Sequence, residues 1–168
     1  MANRDEPRGL QPWGRLLRVT QYVAAGAIGR GDAVKLEAGG RVEVASSGGS
    51  SFAGALAGVA LDAADAAGDV VRVADDPNQR FVVQADGADI DAQTDLGLNY
   101  ELLCTDRDSA TKESRQELDS STGATTATLP LRAIEIDRKI NNALGAQVDV
   151  IVKINNHQLG SGTGVAGV

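Results

Sequence analysis

The chain has 168 residues, enough for one domain with its own core and too few for two full-sized ones. A formal net charge of −7 argues against work that consists of gripping phosphate backbones, although it leaves room for a local basic patch. One cysteine and one histidine rule out an intramolecular disulfide and a His/Cys zinc cluster.

Hydrophobic residues make up 42% of the chain but aromatics only 3%, so the core must come from Val, Leu, Ile and Ala. Such a core favours thin sheets over a deep ligand pocket. Residues 1–20 read as an extended N-terminal arm carrying Arg4, Arg8, Arg15 and Arg18 around Pro7, Pro12 and Trp13. Charges and prolines stand where a signal peptide needs an apolar core, and no run approaches the roughly 18 apolar residues of a membrane span.

From Ile28 onward, short Val-rich runs are broken by Gly, Asp, Asn and Ser, the punctuation of a β protein. Asp32 to Leu36 predicts a strand, Glu37-Ala-Gly-Gly40 a hairpin turn, Arg41 to Ala45 the return strand, and Ser46 to Ser51 a loop. The stretch from Phe52 to Leu61 is the most apolar, yet too short to cross a bilayer. Asp62-Ala-Ala-Asp-Ala-Ala67 is helix-like, at a length where a turn serves as well. Gly68-Asp-Val-Val-Arg-Val73 echoes Gly31-Asp-Ala-Val-Lys-Leu36, and with the return strand Arg80 to Gln84 it predicts a second hairpin, through a turn at Asp75-Asp-Pro-Asn78. The two hairpins are read as a common β type or as a weak internal duplication.

Leu96 to Cys104 predicts another strand, with Cys104 a buried core thiol among Leu102 and Leu103. Thr105 to Thr128, rich in Ser, Thr and charge, reads as a loop or β excursion on the outside of the fold. Leu129 to Asp137 predicts a strand in which Pro130 sits at the first residues or on an edge, because proline cannot donate to a ladder. In the last strand, Ala146 to Ile154, Val148, Val150, Val152 and Ile154 share one face. Residues 156–168 form a Gly-rich C-terminal arm, mobile unless a partner holds it. The expected organisation is therefore a mainly β fold: a single β-barrel or β-sandwich domain over residues 21–155, with an excursion at 105–128 and arms at both ends.

Catalytic chemistry finds little purchase. Nucleophilic triads need a histidine, and His157 lies in a polar segment far in sequence from Cys104, where it reads as a surface or interface residue. Asp86-Gly-Ala-Asp-Ile-Asp91 offers alternating oxygens but lacks EF-hand spacing and a closing Glu, so a turn between strands is the simpler account. Arg30-Gly-Asp32 matches an adhesion tripeptide, yet its Gly-Asp opens a strand in both hairpin copies. Paired carboxylates for glycan hydrolysis lack the stacking aromatics that sugar sites usually add. No cofactor, metal site or catalytic residue is expected.

A set of short phrases spans nearly the whole chain. The first half has Met1-Ala-Asn-Arg4, Pro7-Arg-Gly-Leu10, Gly58-Val-Ala-Leu61, Gly68-Asp-Val-Val71 and Asp75-Asp-Pro-Asn-Gln79. The second half has Thr126-Ala-Thr-Leu-Pro-Leu-Arg132, Asn142-Ala-Leu-Gly145 and Val152-Lys-Ile-Asn-Asn-His-Gln-Leu159. Together they resemble the capsid decoration, cement or head-stabilisation proteins of tailed bacteriophages. The resemblance implies a β-rich, non-enzymatic subunit, made in the host cytoplasm, on the outside of the virion capsid. It further implies binding to the major capsid protein and to itself, as a homotrimer, with no nucleic acid or membrane partner. Capsid or subunit contacts are expected at Arg8, Trp13, Arg15, Arg18, Asn155, Asn156, His157 and Gln158, with Trp13 as anchor. The rival readings are a neck, tail or head-fibre component, a carbohydrate- or receptor-binding module, and a carboxylate glycan hydrolase.

Overall fold

The structure is a computed structural model and describes residues 3–160 and 162–168. Its first strands are β1 (Gln11–Trp13), β2 (Val19–Val23), β3 (Ala33–Leu36), β4 (Val42–Val44), β5 (Ser50–Phe52) and β6 (Gly58–Ala60). The remainder are β7 (Val70–Ala74), β8 (Arg80–Gln84), β9 (Asn99–Cys104), β10 (Glu117–Ala124), β11 (Leu131–Ile136) and β12 (Asp149–Ile154). A single 3-10 turn, Gln93–Asp95, is the sole helical element among the described residues.

These strands form two antiparallel sheets. The larger runs β1-β8-β12-β11-β9-β10, with β5 beside the second half of β9; the smaller runs β2-β7-β6-β3-β4. No closed barrel forms among the described residues. An isolated bridge from Ala24 to Val42 brings the end of β2 to the start of β4 without building a ladder between them.

The β3–β4 hairpin forms as its turn chemistry predicts, with Val34 opposite Val44 and Leu36 opposite Val42. The second expected hairpin does not form. β7 pairs with β2 and β6 in the small sheet, whereas β8 pairs with β1 and β12 in the large one, so Asp75–Asn78 carries the chain between sheets. A two-fold duplication of hairpins is thereby overturned. The helix-like stretch at 62–67 is also irregular: Ile28 bridges Ala64, and Asp69 Oδ2 accepts the N–H groups of Asp65 and Ala66.

One core cluster draws on both sheets, setting Ala33, Val59 and Ala74 against Val83, Val150, Val152, Leu102 and Leu131. The face predicted for the last strand is the one buried there, and Pro130 stands just ahead of β11, its carbonyl accepting from Asn155 N–H. A second, smaller cluster inside the curl of the small sheet contains Ile28, Val34, Val42, Val71 and Val73. Gly58 lies between them: a Cβ there would meet the Ala74 carbonyl oxygen at 2.4 Å, so only glycine lets β6 approach β7.

The excursion expected at 105–128 contains a core strand. β10 pairs with β9 and buries Leu118, and its polar residues are bonded within the fold. Ser120 donates from its N–H and its hydroxyl to Asp86 Oδ1, and Ser51 Oγ donates to Asp119 Oδ2. The end of the predicted 46–51 loop likewise becomes β5, opposite Cys104 to Leu102.

Among the described residues, neither terminal segment stands away from the domain. Leu10 is fully buried, β1 is an edge strand of the large sheet, and β2 straddles the expected boundary at residue 20. The C-terminal segment folds back as well. Val165 N–H donates to Asn155 Oδ1, Gly167 N–H to the Thr125 carbonyl and Val168 N–H to the Gly97 carbonyl, while Arg132 donates to the carbonyls of Val165 and Ala166.

Candidate interaction surface

Residues 13–23 carry the most exposed apolar surface near the sheets. Trp13, Leu16, Leu17, Val19 and Val23 are all exposed, Leu17 to 52%, and Val70 beside Val23 to 61%. Large side chains left in water at this density mark contact surfaces more often than chance placement does. The cause is topological. β1 and β2 are the first strands of two different sheets, both at edges, and Gly14, in the left-handed region at φ +74°, turns the chain between them.

The turn is anchored from below by Gln79, whose side chain is 1% exposed. Its carboxamide accepts Leu17 N–H at 3.0 Å and donates to the carbonyls of Trp13 and Arg80 at 3.3 and 2.9 Å. The Trp13 ring is covered on one face by the Arg80 guanidinium, 5.8 Å from its centroid. Arg18 donates to Asp75 Oδ1 at 2.8 Å and to the Asp75 carbonyl at 2.7 Å, and Tyr22 donates to Asp75 Oδ2 at 2.9 Å. Burial alone would raise the Asp75 pKa, but these donors outweigh it and hold the carboxyl below its usual range. From the sequence Asp75 reads as a turn residue and Gln79 only as the end of a phrase leading into a strand; a buried glutamine next to a Pro-Asn turn leaves no periodic signal.

The expected contact residues divide sharply. Trp13 and Arg15 lie on the exposed surface, and Arg15 forms no ion pair among the described residues. Arg18 is committed to Asp75, and Arg8 to Asp149, which also receives Lys139. Asn155 donates to the carbonyls of Ala127 and Leu129, Asn156 to that of Thr128, and Gln158 brackets Leu36, accepting its N–H and donating to its carbonyl. His157 is buried at 5% exposure, not on the surface. Its Nδ1 accepts Leu159 N–H, its Nε2 has no partner among the described residues, and burial lowers its pKa to about 4. The Asn-Asn-His-Gln run is thus a set of internal ties, while Leu159, Val165 and Val168 after it are exposed.

The acidic motifs are occupied by local bonds. Asp86 and Asp89 accept from Ser120, and Asp95 accepts the N–H groups of Asp91 and Ala92. In Arg30-Gly-Asp32, Arg30 pairs with Glu113 and Asp32 is buried, so the tripeptide is not displayed. Cys104 is buried, and desolvation pushes its thiol up to about 12. A polar cleft of about 370 Å3 lies between the N-terminal segment and the 139–149 region, lined by Asn3, Arg8, Lys139 and Asp149 among others.

A scan of protein-family models finds no match to the chain, and a search of curated proteins finds no significant one.

Proposed function

We propose that the chain is a structural virion protein that binds the outside of a bacteriophage capsid and stabilises the head by bridging capsid subunits. The observation that carries this reading is the apolar surface of residues 13–23, with Arg15 free of ion pairing beside Trp13, Leu16 and Leu17. Such a surface suits an apolar partner bearing carboxylates. The dispersed phrases that resemble decoration proteins supply the class of partner. Repetition over a shell multiplies a modest contact by avidity, so a small patch suffices for stable attachment.

Under this proposal the protein is non-enzymatic, and its two sheets are the layers of a β-sandwich, a reading supported by the core cluster they share. The N-terminal segment acts in place, as a surface built on both sheet edges, and the polar residues near the C-terminus lock the tail. The carbohydrate-binding alternative has one observation in its favour, the half-exposed Trp13 ring.

Capsids lacking the protein, mixed with purified chain and imaged by cryo-EM, test the reading. Density repeated over the shell, with residues 13–23 at the capsid contact, is the expected result. Density at one vertex points to a neck, tail or fibre role, and no density rejects capsid binding.

A further inference from the structure

β2 is an edge strand of the small sheet, and the direction of its backbone groups follows from its ladder with β7, where Gln21 stands opposite Arg72. Arg72 spends its carbonyl on Leu61 N–H at 2.8 Å and its N–H on Asp62 Oδ2 at 3.2 Å, both on the side away from β2. The Gln21–Arg72 pair is therefore of the non-hydrogen-bonded kind. Gln21 turns its own N–H and C=O outward, as does Val19 two residues earlier.

That outward side is open. No turn or loop backbone group among the described residues bonds Val19 or Gln21. The edge closes only further on, where Ala24 bridges Val42 and Ala25 N–H donates to the Val42 carbonyl at 2.8 Å. An edge without proline, bulge or charge is a template for another strand, and β2 reads Val-Thr-Gln-Tyr-Val with no charge between Arg18 and Arg30.

The side chains select the strand that fits. Leu17, Val19, Gln21 and Val23 are exposed and alternate with the half-buried Thr20 and Tyr22. An antiparallel copy of the same strand, related by a two-fold axis at Thr20, sets Val19 against Gln21 of the partner subunit and Leu17 against Val23 of the partner subunit. The relation repeats on the other side of the axis, so the apolar side chains cover one another directly or diagonally. Self-pairing also brings like charges together, and this row carries none. Arg18 is bonded to Asp75, and Arg72 beside Gln21 is held by both carboxyl oxygens of Asp62. A partner chosen by charge finds nothing to read here.

We propose that β2 pairs antiparallel with β2 of a second copy of this chain, about a two-fold axis at Thr20, joining two small sheets into one. In each Val19–Gln21 pair the two residues exchange N–H and C=O bonds across the interface. This is a different assembly from the homotrimer that the resemblance implies, and it holds whether or not a capsid is the further partner.

The test uses the purified full chain without capsids. Sedimentation velocity over a concentration series should show a reversible monomer–dimer equilibrium. Amide exchange at Val19 and Gln21 should slow as the dimer forms, while Thr20 and Tyr22, bonded to β7, stay unchanged. Val19→Lys sets two like charges diagonally across the axis, and Gln21→Pro removes an N–H that β7 does not use. Each should weaken self-association by roughly tenfold or more. Val19 is exposed, so its variant carries the comparison if Gln21→Pro does not fold. A chain that is monomeric at every concentration, a trimer, or association untouched by Val19→Lys would overturn the pairing. Protection of Val19 and Gln21 on capsids alone would give the edge to a capsid strand and overturn it equally.

Discussion

Gln79 accepts the backbone N–H of Leu17 at 3.0 Å from a position that is almost fully buried. The same carboxamide donates to the Trp13 carbonyl, so one side chain spans the turn that displays the exposed apolar residues. Gln79→Ala leaves three backbone bonds unmade and should cost about 1–3 kcal/mol. Urea denaturation measures that cost, and faster amide exchange at Leu17 would locate it at the turn. Unchanged exchange there would mean that Gln79 does not hold the surface.

Leu16→Asp and Leu17→Asp test the surface without entering the core. Both side chains are exposed, so stability should move by no more than about 0.5 kcal/mol. Binding to a genuine partner should fall by about 2 kcal/mol or more, roughly thirtyfold, as at a contact hot spot. Full-strength capsid binding by the double variant would discard residues 13–23 as the contact.

Two groups give stability opposite slopes with pH. His157 is held neutral by burial, its pKa lowered from 6.5 to about 4. The unfolded chain therefore binds the extra proton first, and this contribution, complete above about pH 6.5, is lost as pH falls towards 4. Glu117 behaves the other way, because burial first, then the charges of Asp86 and Asp5, raise its pKa from 4.5 to about 7. The native state holds that proton longer, so stability falls as pH rises between those values. Glu117→Gln should stabilise the protein at pH 7 by about 1 kcal/mol, a figure discounted for its partial exposure. It should also steepen the loss of stability on acidification. Denaturant titrations at pH 7, 5.5 and 4.5 on both proteins would show it, and parallel curves would refute the assignment.

Terminal deletions should differ by where they cut. Removing residues 162–168 takes away the tail's bonds to Asn155, Arg132 and Gly97, and the sheets should persist. Removing 156–168 also takes the buried His157, the Asn156 carbonyl bonded to Leu56 N–H, and the Gln158 ties to Leu36, at a cost of several kcal/mol. Removing 1–20 deletes β1, the fully buried Leu10 and Arg18 and should leave no cooperative unfolding transition. Circular dichroism melts of the three truncations rank them, and a folded 21–168 chain would contradict the order.

Cys104 provides a report on unfolding. Its burial and raised pKa should leave it unreactive to a thiol reagent at pH 8 until the β9 region opens. Labelling should therefore follow the denaturation curve; rapid labelling of the native protein would place the thiol at the surface instead.

Much of the architecture was legible because it follows from neighbours in sequence. The β3–β4 hairpin, β8, β9, β11 and β12 announce themselves by alternation and turn residues, and Val150, Val152 and Ile154 face the core as their period requires. β10 was legible only as a loop or an outer β excursion, because its polar residues look solvent-facing until Asp86 accepts from Ser120 and Ser51 donates to Asp119 across the fold.

The sequence by itself determined the β class, the hairpin at residues 37–40 and the core-facing residues of the last strand, all properties of local pattern and composition. Only the tertiary structure decided that β7 and β8 part into different sheets, that the described ends lie along the domain, and that His157 is buried with an imidazole nitrogen unpaired among the described residues. Those outcomes depend on contacts between residues distant in the chain, where hydrogen-bond partners and burial are set by which sheet edges meet. A local pattern carries no record of that meeting.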